Sequence, residues 1–475
     1  MSSIHRMRIT ADPSVSAATY ADLSTDTVWV LGDSLDLGDP DTSFDAAGFP
    51  IEGSREVGMS VRVKGTGADA GIVMQQIARA ISVPRRWLMI QRTPSTDPVW
   101  YRLHPRSPGS LDMGSAWVDR KDGWWTWALR LTVDSTAVGE RRTIPRAGTS
   151  EVTSTVPNSG TALGVVLDAP GEAPCPLRVD VKPSATTNGK RVLVASYSVP
   201  WDSPIIAGGN PSIVMEDDAF ALITANATRV TGAAYLSGGG GISMPMDTTG
   251  YRVWAFSDGV GASTGQVLEP GRYLVLARLY RSGSTGEAEV RMGERWGGTH
   301  TWQPWRMWRP TAGGERSSWV PLGYLQHPFG QDGEGLDPAD LMPSGMNIAA
   351  RCTTTSSAAM ILDQVAFVPV DLARGTCEVA SFHAYRDGIG AGGDNTFRFD
   401  SEYRRSSVID AFGKAHAVPA PLRTGGWPVA VPGMATGVSV FLDTSDAPSG
   451  IDSVSTTSTV TVSTAPRQLH VGQER

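Results

Sequence analysis

The sequence predicts a mainly β protein: an N-terminal β-sandwich or barrel with one α-helix, then an antiparallel jelly-roll-like β-sandwich, then a C-terminal β-strand domain. Three observations predict this. The 475 residues include 53 Gly and 32 Pro, so turns must be frequent, as sandwiches and barrels require. Between the turns lie short runs rich in Val, Thr, Ile and aromatic residues, which suit a pleated, half-buried surface. One stretch, "GADAGIVMQQIARAIS" from Gly67, instead spaces its apolar residues as a helix does. The length allows about three domains, and 40% hydrophobic residues suffice for real cores.

The first region, 1–145, has the densest signals. "TVWVL" (Thr27 to Leu31) and "MSVRVKG" (Met59 to Gly65) alternate as strands. Asp69 is placed to cap the following helix by accepting from first-turn amides. Val73, Ile77 and Ile81 share a face, with Met74, Ala78 and Ala80 beside it, and Pro84 ends the pattern. "RRWLMIQ", which contains Trp87, and "VWYRLHP" read as a strand pair around "TPSTDP". "GWWTWALRLTVD" is a closing strand with Trp125, Trp127, Leu129 and Leu131 on one face, packed against the helix. Trp124 is left on the other face, available to a neighbouring subunit.

Residues 146–174 read equally as a Ser/Thr/Gly linker or as connecting strands. From 175 to 370, runs such as "RVLVASYSV", "GRYLVLARLYRSG" and "MILDQVAFVPVD" are separated by Gly- or Pro-rich turns, the pattern of a jelly-roll sandwich. "SGGGGISM" lacks the Lys-Ser/Thr of a phosphate loop and reads as a flexible loop. Residues 371–475 contribute "NTFRFD", "GVSVFLD" and "STVTVSTAPRQL" as further strands.

Two parts of the sequence resemble distal tail proteins of long-tailed, siphovirus-type bacteriophages, particularly minor tail proteins of phages infecting actinobacteria. The first comprises "VRVKGTGADAGIVMQQIARAISVPRRWLMIQ", "PVWYRLHP" and "WWTWALRLTVD", similar to the family's ring-forming domain. The second comprises "APCPLRVDV", "GWPVAVPGMATGVSVFLD" and "STVTVSTAPRQLHV", similar to the start and close of its outer barrel. The middle sandwich resembles carbohydrate-binding jelly rolls. The resemblance implies a structural protein of the virion tail, assembled in the host cytoplasm as a homo-oligomeric ring, a hexamer. Its implied partners are the tail tube protein, the tape-measure protein and tail-tip hub proteins, with a host cell-surface glycan as a further ligand.

Chemistry-bearing motifs are few, and the sequence predicts no enzyme. The seven His are scattered without HExxH, and the three Cys have no CxxC spacing, so they are expected to be reduced and structural. No catalytic residue is assigned and no cofactor is expected. "GQDGEGLDPADL" gathers Asp332, Glu334, Asp337 and Asp340; a solvated acidic turn, a calcium site and a glycosidase pair are the three readings of that loop. "HTWQPWRMWRP" sets Trp302, Trp305 and Trp308 around Arg306, which reads as core or subunit packing or as a glycan-stacking platform. Strand alternation allows Trp302 and Trp308 one face and Trp305 the other. A net charge of -7 without a basic block argues against nucleic-acid recognition. No apolar run is long enough for membrane insertion, and no secretory h-region opens the chain.

Overall fold

The computed structural model describes residues 4–468 apart from 39–42, 45–49, 52, 105–108, 120–122, 146–152, 156–161, 183–190, 203–212, 217–220, 223–227, 233–235, 237–239, 246–251, 258–270, 283–287, 297–298, 305, 309–315, 328–342, 353–358, 370–377, 382–395, 411, 419–421, 424–426 and 444–458. The protein is mainly β, in several antiparallel sheets, with one α-helix among the described residues. Two compact units form: Met1–Thr143 with Ala169–Cys175 and Ser463–Arg475, and Ile144–Asp168 with Pro176–Val462.

The first unit is a sandwich closed by the helix. One sheet orders the strands Thr19–Asp22, Arg6–Thr10, Trp87–Gln91, Val99–Arg102, Ala137–Val138 and Arg467–Gln468. The other orders Val28–Val30, Ser54–Lys64, Trp124–Asp134 and Ser110–Asp119. Strand Ser54–Lys64 buries every second residue, so one face meets the core and the other water. Met7, Ile9, Leu88, Ile90 and Tyr101 from one sheet meet Val57, Val61, Trp127, Leu129 and Leu131 from the other. The helix touches Thr19–Asp22 of the first sheet and Ser54–Lys64 of the second. It adds Ala70, Ile77, Ala80 and Ile81 to the core, with Val73 and Met74 at the margin. Ala78, expected beside that face, is exposed.

The helix cap also differs from the expected one. Thr66 is the N-cap, and its hydroxyl accepts from the Asp69 amide. Asp69, three residues in, accepts from the Thr66 amide at 2.9 Å and from its hydroxyl at 2.7 Å. This reciprocal capping box satisfies donors at both positions. The two Thr66 hydrogen bonds hold the Asp69 carboxyl below its ordinary pKa.

The second unit stacks four sheets, and burial along each strand tells its layer. A floor sheet runs Thr459–Thr464, Cys175–Lys182, Thr396–Asp400, Arg405–Ile409 and Ala415–Val418. Its strands Cys175–Lys182 and Thr459–Thr464 alternate buried and partly exposed residues, as an outer layer does. The central sheet orders Ala162–Asp168, Ala435–Asp443, Arg191–Val199, Glu378–Ser381 and Leu422–Arg423. Here 194–199 and 435–441 are buried without interruption, so both faces are covered. The stretch 146–174, read equally as linker or connecting strands, contains two strands, Thr153–Thr155 and Ala162–Asp168, paired with 459–461 and 435–441. The C-terminal strands pair with 175–182 and 191–199.

Between Val199 and Glu378 lies an inserted two-sheet sandwich. Its near sheet orders Thr228–Thr231, Gly240–Pro245, Ala359–Pro369, Gly271–Ser282 and Arg316–His327. Its far sheet orders Ala221–Leu222, Arg252–Ser257, Pro343–Cys352, Ala288–Trp296 and Thr299–Trp302. Tyr273, Val275, Leu279 and Phe367 meet Val290, Met292, Met346 and Ile348 between them. The stretch read as a flexible glycine loop becomes strand Gly240–Pro245, because Ile242 is fully buried opposite Leu362. Gly241 fits there since a Cβ would lie 2.7 Å from Ile361.

Thr66→Ala removes half of the capping box and should lower the stability of the first unit by about 1 kcal/mol. Denaturant unfolding followed through the tryptophans of that unit measures it; an unchanged midpoint would contradict the role given to the cap.

Candidate assembly and ligand-binding surfaces

The structure brings most of the expected N-terminal residues together. Ile77, Ile81 and Trp127 lie in one core, with Val73 and Trp125 packed against its edge. Trp125 donates from its indole nitrogen to the Gly65 carbonyl at 3.3 Å. Its ring also lies 3.1 Å from where a Cβ on Gly67 would sit, so the helix start fits closely against it. Trp87 belongs elsewhere: with Met89, Trp100, Val138 and Ala465 it fills the opposite face of its sheet.

Trp124 finds partners within its own chain. It packs edge-on against Trp29 at 4.2 Å between ring centroids. The Arg62 guanidinium lies 4.8 Å and the Lys64 ammonium 5.5 Å from its centroid. Two cations on one indole neutralise its negative face and cover apolar area with their stems. On the helix Ile72 is 56% exposed, and Val83, the residue that caps its end, is 39% exposed.

In the far sheet, Trp302 stands opposite Gly293. A Cβ on Gly293 would come within 2.6 Å of the indole, so the ring lies flat on a glycine that makes room for it. The Arg291 guanidinium sits 4.3 Å from the ring centroid. Next to it, Gln303 donates to the Tyr324 carbonyl, and its side chain fills the space above Gly323, whose φ is +142°. Strand Arg306–Trp308 pairs with the same central strand, Arg306 opposite Val290 and Trp308 opposite Ala288. Trp305 lies outside the described residues, as do Asp332, Glu334, Asp337 and Asp340.

Two features carried no sequence signal. Asp363 occupies a bulge in its strand and forms a buried ion pair with Arg278. At the hairpin joining Arg405–Ile409 to Ala415–Val418, Asp410 Oδ1 accepts from the Phe412 and Lys414 amides, both at 2.9 Å. Its Oδ2 lies 2.8 Å from His416 Nε2. These bonds, the His416 contact first, lower the Asp410 pKa, and the braced turn holds Phe412 95% exposed. Among the described residues no three His, Cys, Asp or Glu side chains group as metal ligands, and no helix is long and apolar enough to cross a membrane.

No known protein family profile matches the chain, and no curated protein matches it. Among solved structures, phage hub and baseplate proteins are found. The Dit protein of phage SPP1, described as a hub adsorption apparatus of phages infecting Gram-positive bacteria, is similar over 97% of this chain and 98% of its own, at 10% identity and a TM-score of 0.25. A chain of the phage p2 baseplate is similar over 76% of this chain and 97% of its own, at 9% identity and a TM-score of 0.20. The Agl-KA catalytic domain is similar over 34% of this chain, at 13% identity and a TM-score of 0.21, and the chain spans only 28% of its length.

Gly293→Val should force Trp302 off the sheet and cost about 1–3 kcal/mol through overpacking, read as a lower unfolding midpoint with altered tryptophan emission. The Asp410 turn gives a pH prediction. A depressed carboxyl pKa contributes stability that is present above the unfolded value and lost as pH falls through the folded one. The hairpin should therefore loosen below about pH 4, seen as faster amide exchange at Phe412 and Lys414, and Asp410→Asn should abolish that acid dependence.

Proposed function

We propose that the chain is a structural protein of a phage tail tip, of the distal tail type, whose first unit joins copies of itself into a hexameric ring. The tail tube, tape-measure and hub proteins are its partners in that reading, and no step of it requires catalysis. One observation carries the proposal: the scattered stretches that resemble the family's two domains fold as two coherent sandwiches. Residues 61–91, 98–104 and 124–134 contribute paired strands and the helix of the first unit. Residues 175–182, 435–443 and 459–464 are distant in sequence yet lie in the floor and central sheets of the second. The insertion between Val199 and Glu378 separates those stretches without interrupting their pairing. A heterologous interface closes as a ring when its rotation permits.

A second reading concerns the insertion alone. Trp302 lies against Gly293 with the Arg291 guanidinium over its ring, which sets an aromatic ring and a cationic hydrogen-bond donor side by side, and the proposal is that this sandwich binds a host-surface glycan.

Sedimentation of the whole chain tests the first reading. A ring component gives a particle several times the 50.4 kDa chain mass, whereas a chain that stays monomeric at every concentration defeats it. For the second, cell-wall polysaccharide should bind the wild type, and Trp302→Ala should remove that binding without changing the fold. Release of oligosaccharide, lost on converting a carboxylate of 332–340 to its amide, would instead make the insertion a depolymerase.

A further inference from the structure

The near sheet of the inserted sandwich lies on the central sheet, and four features of that seam belong together. The first is topological. Strands Arg191–Val199 and Glu378–Ser381 are adjacent antiparallel partners, with Arg191 opposite Ser381 and Val194 opposite Glu378. The insertion therefore stands where a hairpin loop would, and the central sheet does not need it for closure.

The second is that the insertion has its own core. Ile242, Tyr273, Val275, Leu279, Phe367 and their neighbours pack between near and far sheets, apart from the seam. Separation at the seam would leave that core intact.

The third is the apolar contact itself. Ala195 and Phe441 from the central sheet meet Leu274, Leu276, Trp319, Ala366 and Val368 from the near sheet. Its anchor is one aromatic pair, Trp319 edge-on to Phe441 with centroids 5.0 Å apart.

The fourth is polar. Ser439 stands opposite Ala195 and so shares its face, and Tyr197 follows two residues along the same strand. Tyr197 Oη and Ser439 Oγ are fully buried and have no hydrogen-bond partner. A buried hydroxyl without a partner forfeits its bonds to water. Phe and Ala at these positions would keep the packing and remove that cost, so the sequence retains groups that favour opening.

We infer that this seam is a releasable latch: the inserted sandwich leaves the central sheet as a body while both sandwiches stay folded. Trp319 and Phe441 hold the closed state, and the Tyr197 and Ser439 hydroxyls weaken it. The inference stands on the packing of the second unit and does not depend on the tail reading.

Thiol labelling of the native full chain tests it. Ala195→Cys places a probe in the seam, and Ala277→Cys places one in the core of the insertion; both alanines are fully buried. Labelling mapped by mass spectrometry separates these thiols from Cys175, Cys352 and Cys377. The seam probe should label at least about tenfold faster than the core probe, because partial opening lies below global unfolding in free energy. Adding Tyr197→Phe should slow the seam probe by about tenfold and leave the order of the two probes unchanged. Equal labelling at both sites would overturn the latch, as would a seam rate indifferent to Tyr197→Phe. If Ala195→Cys fails to fold, Ala366→Cys on the facing strand gives the same readout.

Discussion

The second unit depends on a sheet with no face in water. Residues 194–199 and 435–441 are buried consecutively, one face toward the floor sheet's side and the other against the insertion. This constraint selects their composition. Large apolar side chains on both faces of every strand would overfill the space between layers, and small or hydroxylated ones relieve the crowding. Ser198 and Thr436 accordingly share a hydrogen bond at 3.1 Å inside the unit, which keeps two buried hydroxyls satisfied. On the opposite face Tyr197 and Ser439 are left without such partners.

The floor sheet solves a different problem, with one face open. Two of its strands carry charge in matched cross-strand pairs. Arg178 stands opposite the buried Asp400 and Asp180 opposite Arg398, and each pair closes as an ion pair. The Asp180 side chain raises the Arg398 pKa. Opposite charges directly across a ladder favour one register over its neighbours.

Much of the first unit was legible because its signals are local. Alternation in 59–65 and 124–134, helical spacing at Ile77 and Ile81, and Pro84 as a stop are all short-range facts. The cap was misassigned to Asp69 because Thr66 and Asp69 both suit that position, and only the backbone conformation distinguishes them. Pairings of 175–182 with 396–400, and of 191–199 with 435–443, carry no local mark. A strand's sequence states that it has a buried face without naming its neighbour. The packing of Trp302 was half legible: the tryptophans were visible, but the decisive residue is Gly293, which became informative only when the register set it beneath the ring.

The lone helix closes the core of the first unit and turns Ile72 outward, while Trp124 is satisfied by Trp29, Arg62 and Lys64. A self-contained sandwich of this kind is the building block that the proposed assembly requires. Electron microscopy of the purified full chain tests that central claim most directly. Closed particles with six-fold symmetry and the first unit at the ring are the expected result. Single, unassociated chains at every concentration that supports imaging would contradict it.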